Sequence, residues 1–141
     1  MGPKQIIVRL PNKPGQLARI SELLGENGID VKAVSISSEG DCGVLALVAN
    51  DHAKALMILR ASDIPAEETQ VIASYAPDHP GGLKAVLKPL REAKVNIERL
   101  YLSAARKEEY AVLIIQVDDY EKGVNALKDA YVDLIEGEFR F

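Results

Sequence analysis

The chain has 141 residues, 48% of them hydrophobic, which is enough to bury a sizeable core in one body or in two small subdomains. A formal charge of −4 and a pI near 5.2 argue against a nucleic-acid partner, and charges of both signs are interspersed with no basic patch in view. A lone Cys42 excludes an internal disulfide, no apolar run approaches a membrane span and no signal-like segment opens the chain, so a cytoplasmic protein is expected.

Ile6 to Leu10 alternates, with Ile6, Val8 and Leu10 on one face, as a strand with one buried face should. Pro14 fits the first turn of a helix, and Leu17, Ile20 and Leu24 follow at helical spacing until Gly28 offers a left-handed C-cap. Ile29 to Ser37 reads as a second strand and Val44 to Ala49 as a third, joined by the Glu39-Gly40-Asp41-Cys42-Gly43 turn. Asp51 can cap a second helix carrying Leu56 and Leu59. Within the second strand the apolar phase switches from Ile29 and Val31 to Val34 and Ile36, which predicts a bulge or bend near Lys32-Ala33.

The same order then returns. Pro11-Asn12-Lys13-Pro14-Gly15-Gln16-Leu17 recurs 66 residues later as Pro77-Asp78-His79-Pro80-Gly81-Gly82-Leu83, and Ile29-Asp30-Val31 recurs as Val95-Asn96-Ile97. A repeat of this length is a whole small α/β unit. Leu83, Val86, Leu87 and Leu90 mark its first helix, a bulge is expected near Glu98-Arg99, and Tyr110 to Val117 is its third strand. Past that hairpin the offset becomes 68, pairing Asp51 with Asp119, and the mixed run Arg106-Lys107-Glu108-Glu109 is expected at the tip. Pro89 inside a helix removes a hydrogen bond at a cost of roughly 3 kcal/mol and predicts a bend.

The fold class expected is α+β: two ferredoxin-like βαββαβ modules with antiparallel sheets and helices on one face. The modules divide as residues 1–70 and 71–141. The first copy's fourth strand, about Thr69 to Ala73, runs into the second copy's first strand, so one long strand near 69–76 could serve both. The third strands are apolar on both faces, so the face away from the helices is expected to meet another sheet, and a homodimer is expected.

A βαββαβ module whose first loop reads Asn-Lys-Pro-Gly-Gln-Leu and whose first helix ends in Glu-Asn-Gly-Ile-Asp-Val resembles the ACT domain, a small regulatory module that binds amino acids. Asn12, Pro14, Gly15, Leu17, Gly28, Ile29, Asp30 and Val31 carry the resemblance in the first copy, and Asp78, Pro80, Gly81, Leu83, Val95, Asn96 and Ile97 in the second. It covers essentially the whole chain. The second copy departs from it at Ala93-Lys94, where Asn-Gly is expected, and lacks that C-cap. The resemblance implies a ligand held between two neighbouring modules, with a second wall from the start of a partner copy's second strand.

The loop chemistry agrees with this. A turn ending in Pro-Gly exposes the first N–H groups of the helix, and the positive end of its dipole favours a carboxylate. Gly15 and Gly81 permit close approach, extended by Gly82, and Asn12 or Asp78 can accept from an α-ammonium. The candidate ligand-binding residues are Asn12, Lys13, Pro14, Gly15, Gln16, Leu17, Asp30 and Val31, with Asp78, His79, Pro80, Gly81, Gly82, Leu83, Asn96 and Ile97 in the second copy.

Other chemistries fit less well. An RNA-recognition module needs stacking aromatics on its central strands, and these are mainly aliphatic. An acylphosphatase-like enzyme needs a glycine-rich anion loop, for which the Pro14 turn is wrong. No catalytic triad or paired carboxylate stands out, no metal cluster surrounds His52 or His79, and no cofactor is expected. Tyr75, Tyr101 and Tyr110 read as core or interface residues. The function expected is an amino-acid-sensing regulator that binds a small amino acid and modulates a partner enzyme of amino-acid metabolism, without enzymatic activity. Val31, Val34, Ile97 and Leu100 favour a branched-chain or aromatic ligand. The alternative is a constitutive interaction subunit that binds no ligand.

Overall fold

The computed structural model describes residues 2–104 and 109–137 of the chain, so the charge run at 106–108 lies outside the described residues. Two units form, one of Lys4–Thr69 and one of Gln70–Gly137 with Gly2 and Pro3. In each, two helices cover one face of a four-stranded antiparallel sheet.

The first unit runs β1 (Lys4–Pro11), α1 (Gln16–Glu26), β2 (Val31–Glu39), β3 (Cys42–Ala49), α2 (His52–Ala61) and β4 (Ala66–Gln70), with sheet order β2-β3-β1-β4. Ile6, Val8 and Leu10 of β1 meet Leu45 and Leu47 of β3, Ile20 and Leu24 of α1, and Leu56 and Leu59 of α2 in one buried cluster. The second unit repeats the order with β5 (Ile72–Pro77), α3 (Gly82–Glu92), β6 (Ile97–Leu102), β7 (Tyr110–Val117), α4 (Tyr120–Asp129) and β8 (Leu134–Ile135), arranged β6-β7-β5-β8. Its core joins Ile72, Val86, Leu90, Leu113, Ile115 and Leu127. This is the ferredoxin-like order read from the sequence.

The phase switch in the second strand of each copy has a visible cause. The β2–β3 register shifts between Val31 and Ala33, and the β6–β7 register between Ile97 and Arg99, so Lys32 and Glu98 are the extra residues. Both faces of β3 are buried, Leu45 and Leu47 on the helix side and Val44, Ala46 and Val48 on the other. In β7, Leu113 and Ile115 lie on the helix side, and Val112 and Ile114 are also buried. Residues 66–77 are divided at Val71, with β4 in the first sheet and β5 in the second.

Two local expectations change. Pro14 does not open α1: the helix starts at Gln16, and Pro14 lies in the turn before it. The missing glycine after α3 does not cost the motif, because Lys94 takes the left-handed position at φ 59 that Gly28 takes at φ 74. Val95 N–H then reaches the Leu90 carbonyl at 2.9 Å, just as Ile29 N–H reaches that of Leu24. Pro89 lies inside α3, as the sequence places it. The carbonyl that Pro89 leaves without a helical donor belongs to exposed Ala85, where water can serve it.

Candidate functional site

The two loops that precede α1 and α3 have matching geometry. Gly15 and Gly81 are the N-cap residues, with φ of 87° and 88°, a left-handed conformation that glycine adopts freely. No side chain caps either helix. By contrast, α2 and α4 are capped by Asp51 and Asp119, which accept from Lys54 N–H and Lys122 N–H. Both N-cap glycines are exposed, with open space where a Cβ would stand, and the first N–H of α3, that of Gly82, donates to the His79 carbonyl at 2.9 Å.

Each loop is stitched to its own hairpin. Asn12 N–H donates to the Asp41 carbonyl at 3.0 Å, and Asp78 N–H donates to that of Glu109 at 3.0 Å. The Asn12 side-chain amide donates to Ser38 Oγ at 3.0 Å, which leaves Oδ1 as its acceptor. Lys13 N–H closes on the Pro11 carbonyl at 2.8 Å, and His79 Nδ1 lies 2.8 Å from the Pro80 carbonyl. Pro14 and Pro80 are exposed, and so are Leu17 and Leu83, while Gln16 is half-buried.

Gly82 does not extend the open approach. It is buried, and a Cβ there would lie 1.8 Å from the Pro77 carbonyl oxygen, so its small size serves the packing of α3 against the end of β5. Asp30 is engaged as well. Its carboxylate pairs with Lys32 Nζ at 2.7 Å, and its N–H donates to Asn50 Oδ1. Val31 and Ile97 pack half-buried against their module cores.

In the second module Leu83, Asn96 and Ile97 line one open groove of about 820 Å³ beside α3. Residues 78–82 do not line it; Gly81 borders a second groove of about 670 Å³ between α3 and α4. Four cations share the first groove: Lys84, Lys88, Arg91 and Lys94. The expectation that no basic patch exists is thus corrected. The signal was in the sequence, because intervals of 4 and 3 residues keep Lys84, Lys88 and Arg91 on one helical face, with Lys94 just past the helix end.

The sequence matches the ACT domain pair family over residues 1–138. The chain belongs to that family. Both copies of the loop motif are therefore those of one ACT pair. No curated protein matches the sequence significantly. Among solved structures the pair is similar to protein BT0572 from Bacteroides thetaiotaomicron, with 30% identity, a TM-score of 0.87 and coverage of 96% of this chain and 92% of that one. The regulatory subunit of aspartate kinase from Thermus thermophilus is 20% identical, with a TM-score of 0.65 and coverage of 93% and 94%. The corresponding subunit from Thermus flavus is 19% identical, with a TM-score of 0.59 and coverage of 93% and 94%. These last two likenesses are of fold.

Among the described residues of the ACT pair, no group of three His, Cys, Asp or Glu is placed to hold a metal ion. No helix there is long and apolar enough to cross a membrane. Tyr101 is buried, and burial pushes its hydroxyl well above the ordinary tyrosine range while Arg99 opposes this in part. Tyr75 and Tyr110 meet edge to face at 6.4 Å.

Proposed function

We propose that this ACT domain pair senses an amino acid and passes the change to a partner enzyme or regulator of amino-acid metabolism. The observation that carries the reading is the pair of helices opened by Gly15 and Gly81 without side-chain caps, in a fold whose other two helices are both capped. A ligand carboxylate fits the first-turn N–H groups, and an α-ammonium fits Asn12 Oδ1 or the Asp78 carboxylate. The start of a partner copy's second strand, Asp30-Val31 or Asn96-Ile97, is proposed as the second wall, with Lys13, Gln16 and Leu17, and His79, Pro80 and Leu83, around the loops. Half-exposed Val34, Ile36 and Leu102 on the edge strands support both an apolar ligand, branched-chain or aromatic, and a homodimer. The Thermus relatives are regulatory subunits of aspartate kinase, which supports a regulatory role rather than catalysis here.

The test is a thermal-shift screen of the full chain against the common amino acids. A true ligand at about 100 times its Kd stabilises the fold by roughly 2.7 kcal/mol, a shift of several degrees. Because a charge-assisted bond is about twice as strong as a neutral one, Asp78→Ala should remove the tighter of two calorimetric phases and Asn12→Ala the weaker. No shift with any amino acid would favour a constitutive interaction subunit.

A further inference from the structure

The cations beside α3 form a strip. Lys84, Lys88, Arg91 and Lys94 line one groove together with the apolar side chains of Leu83, Leu87, Val95 and Ile97, and all of these belong to the second module. The fold does not require this charge, because the matching residues of the first module are Ala18, Glu22, Gly25 and Gly28. Helix electrostatics explain only half of it. Arg91 and Lys94 stand at the C-terminal end of α3, where cations are favoured, but Lys84 stands in the first turn, where they are not.

Among the described residues the strip is little neutralised. Its ion pair there is Lys88 with Glu92 at 3.9 Å, both side chains more than half exposed, in the weaker Lys-before-Glu order. Length then decides what the strip can hold. From Lys84 to Arg91 the helix rises about 10 Å at ~1.5 Å per residue, so a single small anion meets only part of it. That distance matches three or more residues of extended chain at ~3.3 Å each.

We propose that this groove docks an acidic amphipathic segment of a partner protein, its carboxylates on the cation strip and its apolar side chains on Leu83, Leu87, Val95 and Ile97. Charge complementarity together with the apolar floor selects a protein segment over a nucleic acid. No aromatic side chain lines the groove for base stacking, and the net charge of −4 repels a polyanion at range. The docking surface does not depend on the amino-acid reading, although the groove shares Leu83, Asn96 and Ile97 with the candidate ligand site.

The experiment is fluorescence polarisation of the full chain with a labelled peptide of repeated Glu-Leu-Leu-Glu units. Saturable binding that weakens between about 50 and about 200 mM salt is expected. The double substitution Lys84→Glu with Lys88→Glu should weaken it roughly tenfold or more. The melting temperature should hold, since both lysines are exposed, and the milder Lys84→Gln with Lys88→Gln should fall between. Any thermal shift given by an amino acid should survive in the Gln variant, which separates this surface from the ligand site. Equal peptide binding by parent and reversed-charge variant would overturn the proposal, as would tighter binding of an oligo-dT strand. Light scattering that shows self-association lost in the same variant, with no peptide binding by the parent, would assign the groove to a second copy instead.

Discussion

Asn96 and Asp118 clamp each other: the Asn96 N–H donates to Asp118 Oδ1 at 3.0 Å, and the Asp118 N–H donates back to the Asn96 carbonyl at 3.0 Å. In the first module Asp30 and Asn50 make the same clamp, both bonds at 2.9 Å, with acid and amide exchanged. Each clamp ties the approach to the second strand to the end of the third, just before the bulge.

The clamp separates structural from ligand roles. Asp118→Ala should cost about 1 kcal/mol, because it removes the acceptor and leaves the Asn96 N–H to water. Asn50→Ala should cost less, since its bond is neutral. Asn96→Ala keeps both backbone bonds and should unfold at nearly the parent's urea midpoint. Loss of an amino-acid response in that variant would therefore report a lost ligand contact.

The glycines around α3 should behave oppositely to their exposure. Gly82→Ala places a Cβ against the Pro77 carbonyl, backbone against backbone, and should cost more than about 3 kcal/mol or prevent folding. Gly81→Ala meets open space and should cost only about 1–2 kcal/mol for its left-handed conformation. Urea denaturation of the two variants gives the ordering directly.

Much of this was legible because period and repeat are local properties. The alternation of Ile6, Val8 and Leu10, the cap at Asp51 and the phase switches at Lys32 and Glu98 all lie in short windows. What was missed depends on contacts distant in sequence or on a competing backbone choice. Gly15 begins α1 in a left-handed turn and so displaces Pro14 from the helix. The Pro77 carbonyl explains Gly82, and the Lys32 ammonium occupies the Asp30 carboxylate, neither of which composition reveals. The α3 cations were overlooked because interspersed charge was read along the chain instead of around the helix.

Ser74 offers a stabilising change. Its Oγ is buried on β5 with no hydrogen-bond partner among the described residues, and the matching residue of the first module is Val8. A buried hydroxyl without a partner costs about 1–3 kcal/mol, so Ser74→Ala should raise stability by about 1 kcal/mol after the loss of a few contacts. Calorimetry should show the melting temperature rising by a few degrees. A lower melting temperature would mean that the hydroxyl is served by a bound water.

Acid sensitivity should track Glu68. His52 Nε2 lies 2.5 Å from Glu68 Oε2, and Lys4 Nζ lies 3.6 Å from Oε1. The hydrogen bond with His52 is the main cause holding the Glu68 carboxyl below its ordinary value of 4.5; burial opposes it, and Lys4 adds to the lowering. With the folded pKa below the unfolded one, the unfolded chain binds more protons in between, so stability there rises with pH. The contribution is present above the unfolded value and is lost as pH falls through the folded one. Glu68→Gln should therefore unfold at a lower urea concentration than the parent near neutral pH, and the two should converge in acid once the parent's carboxyl is protonated. Glu136, lowered by its hydrogen bond with Lys128 at 3.1 Å, should follow the same course in the second module. Urea midpoints taken from about pH 7 down to about pH 2 test both. A deficit that stays constant over that range would mean that the substitution disturbs packing and not the charge pair.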